Sequence, residues 1–149
     1  MLAQWIGKQS VPVKNTIERG AVKKFALAIG DRNPLYIDEE YAKASRYQGL
    51  IAPPTFVQTL EYGKIEDVPI PKKGVIHGEQ KYSFARPLQV GEEIWCYAKL
   101  ADVYEKKGGN GLLTFVITDR IGEDPRRERI YTATTVTIWM EFIRKELGL

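Results

Sequence analysis

The residues best placed to do chemistry lie in one stretch, Gly30-Asp31-Arg32-Asn33-Pro34-Leu35-Tyr36-Ile37-Asp38-Glu39-Glu40. It brings together an acid, an amide and a proline, Asp31, Asn33 and Pro34, and ends in a second acidic cluster. A turn that carries an ionisable group is a natural place for proton transfer, since a positioned carboxylate can take or give a proton. Asp, Asn and Pro also favour caps and turns, so the same residues read equally as a helix-stop signal.

The elements that must hold this stretch are helical. Ile17, Ala21, Phe25 and Ala28, with Val22, Ala26 and Ile29 beside them, form an apolar stripe at helical spacing. Asn15 or Thr16 is expected to cap this helix, Glu18 to lie in its first turn and Gly30 to end it. Asp38 is expected to cap a second, shorter helix running to about Ala44. Pro54 then fits the first position of a further helix and Gly63 its end. Phe56, Val57, Leu60 and Tyr62 leave that helix little polar face, so it is expected to be buried.

From Val75 the period changes to two, with Ile76, Gly78, Gln80, Tyr82 and Phe84 on one face and His77, Glu79, Lys81 and Ser83 on the other. Further strands are expected over 94–104, 112–121 and 130–142, with a hairpin signal at Gly108-Gly109-Asn110-Gly111. Helices first and antiparallel strands after make an α+β domain, its sheet wrapped around the buried helix.

At 149 residues the chain is read as a single domain, 1–149, large enough to bury a core without staples. The net charge of +3 is spread along the chain, apart from Arg126, Arg127 and Arg129, which sit beside acids in a solvated turn. No nucleic-acid partner is expected. Cys96, the single cysteine, suits a reducing cytoplasm and falls inside an apolar strand pattern, so it is read as a small core residue. The N-terminus lacks the basic start and long apolar run of a signal peptide, and no run is long enough to span a bilayer. A cytoplasmic protein with no membrane partner is expected. No metal-ligand or nucleotide-binding spacing is present, so neither a metal nor a bound redox cofactor is expected.

Three ordered segments resemble the MaoC-like branch of the hot-dog superfamily, closest to the FAS1-like dehydratase N-terminal domains. The first matches Phe25, Gly30, Asp31, Asn33, Pro34, Leu35, Asp38 and Ala42. The second is Gly49-Leu50-Ile51-Ala52-Pro53-Pro54-Thr55-Phe56. The third is His77-Gly78-Glu79-Gln80 followed by Arg86-Pro87-Leu88-Gln89-Val90-Gly91-Glu92. The resemblance covers roughly residues 5–142 and implies a hot-dog fold, an antiparallel sheet curled round a central helix starting near Pro53. It also implies pairing of such domains edge to edge and an acyl thioester of coenzyme A or acyl carrier protein as substrate. The reaction implied is reversible hydration of a trans-2-enoyl thioester to an (R)-3-hydroxyacyl thioester.

That reaction moves one proton off water and one onto the α-carbon, work an Asp and a His can share. The enolate-like thioester oxygen would be met by backbone N–H groups at a helix N-terminus, here Thr55 and Phe56 after Pro54. A plain helix start explains the same residues. The family's catalytic His position is occupied by Tyr36. A phenol, with a pKa near ~10 against ~6.5 for imidazole, is a poor base at neutral pH. Asp31 is then either the surviving half of a catalytic pair or, with Asn33 and Pro34, only a turn former. His77, the sole histidine, lies in another segment and is read as structural or interfacial in preference to a replacement base; with Asn33, Pro34, Pro54, Thr55 and Phe56 it makes up the substrate-binding set that the resemblance implies.

Three functions are compatible with these residues. The first is a catalytically degenerate acyl-binding subunit paired with a His-bearing MaoC-like partner. The second is an active homodimeric hydratase or dehydratase using Asp31, with Tyr36 or a water network completing proton transfer. The third is a thioester-binding module without chemistry.

Overall fold

The computed structural model describes residues 2–71 and 73–149. Five strands, β1 (Val13–Thr16), β2 (Val75–Phe84), β3 (Glu93–Gly108), β4 (Gly111–Glu123) and β5 (Arg129–Met140), form one sheet in the order β1-β3-β4-β5-β2. Every pairing is antiparallel. The helices α1 (Arg19–Ala28), α2 (Pro34–Ile37) and α3 (Glu39–Ala44) precede β2, and α4 (Glu141–Glu146) follows β5. This is the hot-dog arrangement, with β1 and β2 at the two edges of the sheet.

The sheet's inner face and the segment laid across it make the core. Buried against each other are Phe56, Val57 and Tyr62 from that segment and Cys96, Leu100, Val116, Tyr131 and Ala133 from the strands. Tyr62 accounts for much of the attachment. Its hydroxyl lies 2.6 Å from the Tyr131 hydroxyl and 2.6 Å from the Val57 carbonyl oxygen, to which it donates. The Cys96 sulfur stands 3.4 Å from the same Tyr131 hydroxyl. Burial pushes the Cys96 thiol up to about 11, so it stays neutral at pH 7 and serves as the small core residue expected.

The segment that crosses the sheet departs from expectation. Instead of a helix from Pro54 to Gly63 there is a six-residue 3₁₀ turn, Pro54–Thr59, after which Leu60 is extended. The cause is Asn15. Its amide donates to the Glu61 carbonyl at 2.8 Å and its carbonyl oxygen accepts from the Glu61 N–H at 2.9 Å. A side chain that bonds both backbone groups of one residue imitates a strand partner and takes them out of any helix. Asn15 therefore does not cap α1. It lies in β1, opposite Ile94, and α1 starts at Arg19 with Glu18 as an N-cap residue that makes no side-chain bond. Strand pairing has overridden capping preference there.

The last strand also ends early, at Met140, because the chain turns into α4 and buries Ile143. The Arg144–Glu105 ion pair ties α4 to β3, and Lys145–Glu141 links successive turns within α4. No described helix is long and apolar enough to cross a membrane.

Gly122 faces Tyr131 across the β4–β5 pair, and a Cβ built there would fall 2.2 Å from a ring carbon of Tyr131. Gly122→Ala should therefore displace the ring that holds Tyr62 and cost about 1–3 kcal/mol, as overpacked cores do. Urea unfolding checks this through a lowered midpoint at constant slope. An unchanged midpoint would show that Tyr131 is not fixed as described.

Candidate active site

The stretch from Gly30 to Asp38 is a series of caps. Gly30, at φ +74°, follows α1 and turns the chain out of it, a conformation costly for a residue with a Cβ. The Gly30 N–H then bonds the Leu27 carbonyl at 3.1 Å, and the Asp31 N–H bonds the Ala26 carbonyl at 2.9 Å. Asp31 Oδ1 accepts from the Asn33 N–H at 3.1 Å, and Asn33 Oδ1 accepts from the Leu35 N–H at 3.0 Å, capping α2 behind Pro34. Asp38 Oδ1 accepts from the Tyr41 N–H at 3.0 Å and caps α3 as expected. Each polar side chain in the motif thus satisfies a backbone donor that its turn would leave unpaired. The short helix α2 itself was read from sequence only as a turn.

Tyr36 stands on α2 and is buried, 8% exposed. Together with Arg19, Lys23, Asp38 and Glu39 it lines an open cleft between α1 and α3, where Arg19 pairs with Glu39 at 2.9 Å. Its hydroxyl makes no hydrogen bond to another described residue. Burial, then the negative charge of Asp31, then Tyr47 push its pKa above the ordinary tyrosine value. A group so shifted holds its proton at pH 7 and is no general base there. Asp31 acts on Tyr36 through its charge, yet the two do not line one cavity.

Of the residues expected at the central helix, Phe56 is buried against Phe25 with ring centroids 5.6 Å apart at 77°. The Phe56 N–H donates to the Pro53 carbonyl at 2.9 Å, so it is already engaged within the turn. Pro54 and Thr55 are exposed beside it.

His77 sits elsewhere, on the edge strand β2. A bulge between His77 and Glu79 shifts the register, so His77 lies opposite Thr137 and Gln80 opposite Thr135. Strict alternation would put His77 and Gln80 on opposite faces. The bulge instead brings His77 Nε2 to 3.5 Å from Gln80 Oε1, which accepts from the Thr135 hydroxyl at 2.7 Å. Gly78, a glycine inside a strand pattern, was the signal that could have revealed it. Nothing in the described residues joins His77 to Asp31 or Tyr36.

A second cavity, of about 300 Å³, lies between the sheet's inner face and the strap that follows the 3₁₀ turn, residues 62–71. Its lining includes Tyr62, Val68, Leu100, Arg120, Thr135 and Trp139. Sequence reading missed this site, although period two along β4 puts Arg120 on the face of Val116 and Thr118. Among the described residues no group of three His, Cys, Asp or Glu could hold a metal ion.

Residues 4–133 match the FAS1-like dehydratase domain region. A UPF0336 protein of Streptomyces coelicolor is 35% identical over 127 residues, covering 80% of this chain and 81% of that protein. One from Thermobifida fusca is 36% identical over 110 residues, covering 70% and 72%. Among solved structures, the HadBC (3R-hydroxyacyl-ACP dehydratase) complex of Mycobacterium tuberculosis superposes with a TM-score of 0.75 at 23% identity, over 93% of this chain and 99% of that one. An (R)-hydratase from A. caviae gives 0.67 at 18% identity, over 91% and 96%. At these identities the structural likeness carries the fold alone.

Because the folded state favours protonated Tyr36, its contribution to stability is complete below pH ~10 and is lost as pH rises through the folded-state value. Tyr62 and Tyr131, raised chiefly by burial, act in the same direction. Tyr36→Phe should leave the unfolding midpoint at pH 7 close to wild type and flatten part of the decline above pH ~10. An alkaline decline identical to wild type would remove the shift assigned to Tyr36.

Proposed function

This chain belongs to the FAS1-like dehydratase domain family, and we propose that it is the acyl-thioester-binding subunit of an (R)-specific enoyl hydratase or 3-hydroxyacyl dehydratase. In this reading it binds a thioester of coenzyme A or acyl carrier protein, is catalytically degenerate by itself, and pairs with a His-bearing MaoC-like subunit. The observation that carries this is Tyr36. By the motif resemblance it stands where the resembling enzymes carry histidine, and it is a buried phenol that holds its proton at neutral pH.

Three further features support it. Asp31 is tied into the Asn33 turn at 3.1 Å, so the scaffold of the acid–base pair persists with one proton carrier missing. The Phe56 N–H is spent on Pro53, which leaves Thr55 to offer a backbone donor to a thioester oxygen. Finally, β2 is an unpaired sheet edge that carries His77, Glu79 and Lys81 exposed, a surface suited to another hot-dog domain. HadBC is itself a complex, a precedent for such pairing. No metal or redox cofactor takes part in this chemistry, which needs only water and proton transfer, and a cytoplasmic setting fits it.

Loss of one acid–base partner costs about 10²–10⁴ in rate. The isolated chain should therefore hydrate crotonyl-CoA negligibly, and Tyr36→His should raise the rate at least tenfold. Asp31→Asn, added to Tyr36→His, keeps an oxygen for the turn but supplies no base, and should abolish the gain. Wild-type turnover that Asp31→Asn abolishes would instead make the chain an active homodimeric enzyme. Failure of wild type to bind the thioester at all would remove the substrate class.

A further inference from the structure

The inner face of a hot-dog sheet packs on the core, a place where an antiparallel sheet normally presents apolar side chains. Arg120 breaks that pattern. It lies midway along the sheet, between β3 and β5, opposite Ala98 and Ala133. Two alanines as neighbours leave room around a long side chain. The guanidinium lines the cavity beneath residues 62–71, stacks over the Tyr62 ring with its carbon 5.1 Å from the centroid, and donates to Gln58 Oε1 at 2.9 Å. Gln58 in turn donates to the Tyr82 hydroxyl at 2.9 Å.

Both partners of Arg120 are neutral. Among the described residues no carboxylate comes within ion-pair distance of it. Asp119, next in sequence, points to the other face and accepts from the Thr134 hydroxyl at 2.6 Å. Arginine keeps its charge, and Arg120 is half-buried at the edge of the cavity with only neutral partners, so its remaining N–H groups are open to an entering anion. The hydroxyl of Thr118, two residues away on the same face, also lines the cavity and has no hydrogen-bond partner among the described residues. A planar cation with unused N–H groups beside a free hydroxyl matches one chemistry well, a carboxylate held in a two-pronged contact.

We propose that this cavity receives an acyl chain that ends in a carboxylate, and that Arg120 is the residue that selects it. The proposal rests on the acyl-thioester reading above and names which acyl group the subunit takes. The remaining walls, Val68, Leu100, Val116 and Trp139, suit the methylenes between thioester and carboxylate. A volume of about 300 Å³ lies at the small end of the ~300–1,000 Å³ usual for small-molecule sites, which fits a short or medium chain. The phosphates of coenzyme A are a different anion source, but Arg120 stands on β4, the central strand of the sheet, and its cavity has the apolar walls that an acyl chain needs and a nucleotide does not.

The test compares two coenzyme A thioesters of equal chain length, octanoyl-CoA and the monothioester of octanedioic acid, by calorimetric titration of the whole chain. Wild type should bind the dicarboxylic thioester at least tenfold more tightly. Arg120→Met should erase that preference without weakening octanoyl-CoA, and Arg120→Lys, which keeps charge but loses the fork, should retain part of it. If Arg120→Met does not fold, the Lys variant decides, since an undiminished preference there overturns the role of the fork. Equal affinities in wild type, or a preference for octanoyl-CoA, refute the proposal and leave the thioester reading standing. Binding of neither thioester refutes both.

Discussion

The paired hydroxyls of Tyr62 and Tyr131, 2.6 Å apart and both buried, hold the crossing segment onto the sheet. A hot-dog sheet needs something laid across its inner face, and here only a six-residue 3₁₀ turn is available. Six residues cannot cover the width of five strands, so the rest of the covering falls to the irregular strap beyond Leu60. That strap is held at Glu61 by Asn15 and at Tyr62 by Tyr131. An irregular strap, with left-handed residues at Gly63 and Asp67, fills space less densely than a helix with its side chains, and a cavity of about 300 Å³ remains beneath it. The short turn, the strap and the cavity therefore follow together from two adjacent anchors, Asn15 at Glu61 and Tyr131 at Tyr62.

Next to this, the Gly30–Asp38 segment shows how a site motif can persist as scaffold. Asp31, Asn33 and Asp38 each accept from a backbone N–H two or three residues ahead. Those bonds hold α2 whatever stands at position 36. Histidine could be replaced there without loss of the fold, because the turn depends on its neighbours. Tyr36 fills the position as a buried phenol that keeps its proton at pH 7.

The sequence made some of these features readable and concealed others. The motif segments, the α+β order, the caps at Gly30 and Asp38 and the core role of Cys96 could be read because each depends on local spacing or local bonds. The unread features depend on partners distant in the chain. Asn15 looked like a helix cap until Glu61, forty-six residues away, claimed its amide. The bulge at Gly78 needed β5 to define it, and alternation alone put His77 on the wrong face. Arg120 lay within a strand correctly placed, but its importance arises from the missing carboxylate around it, which only the assembled sheet reveals.

The most direct measurement joins this chain to a small MaoC-like protein that keeps an intact Asp-x-Asn-Pro-Leu-His, by co-expression, and follows complex formation and crotonyl-CoA hydration together. The expected result is a stable complex whose turnover exceeds that of either subunit alone. Turnover by the isolated chain at the rate of the mixture, or no complex at all, would contradict a degenerate subunit that depends on a His-bearing partner.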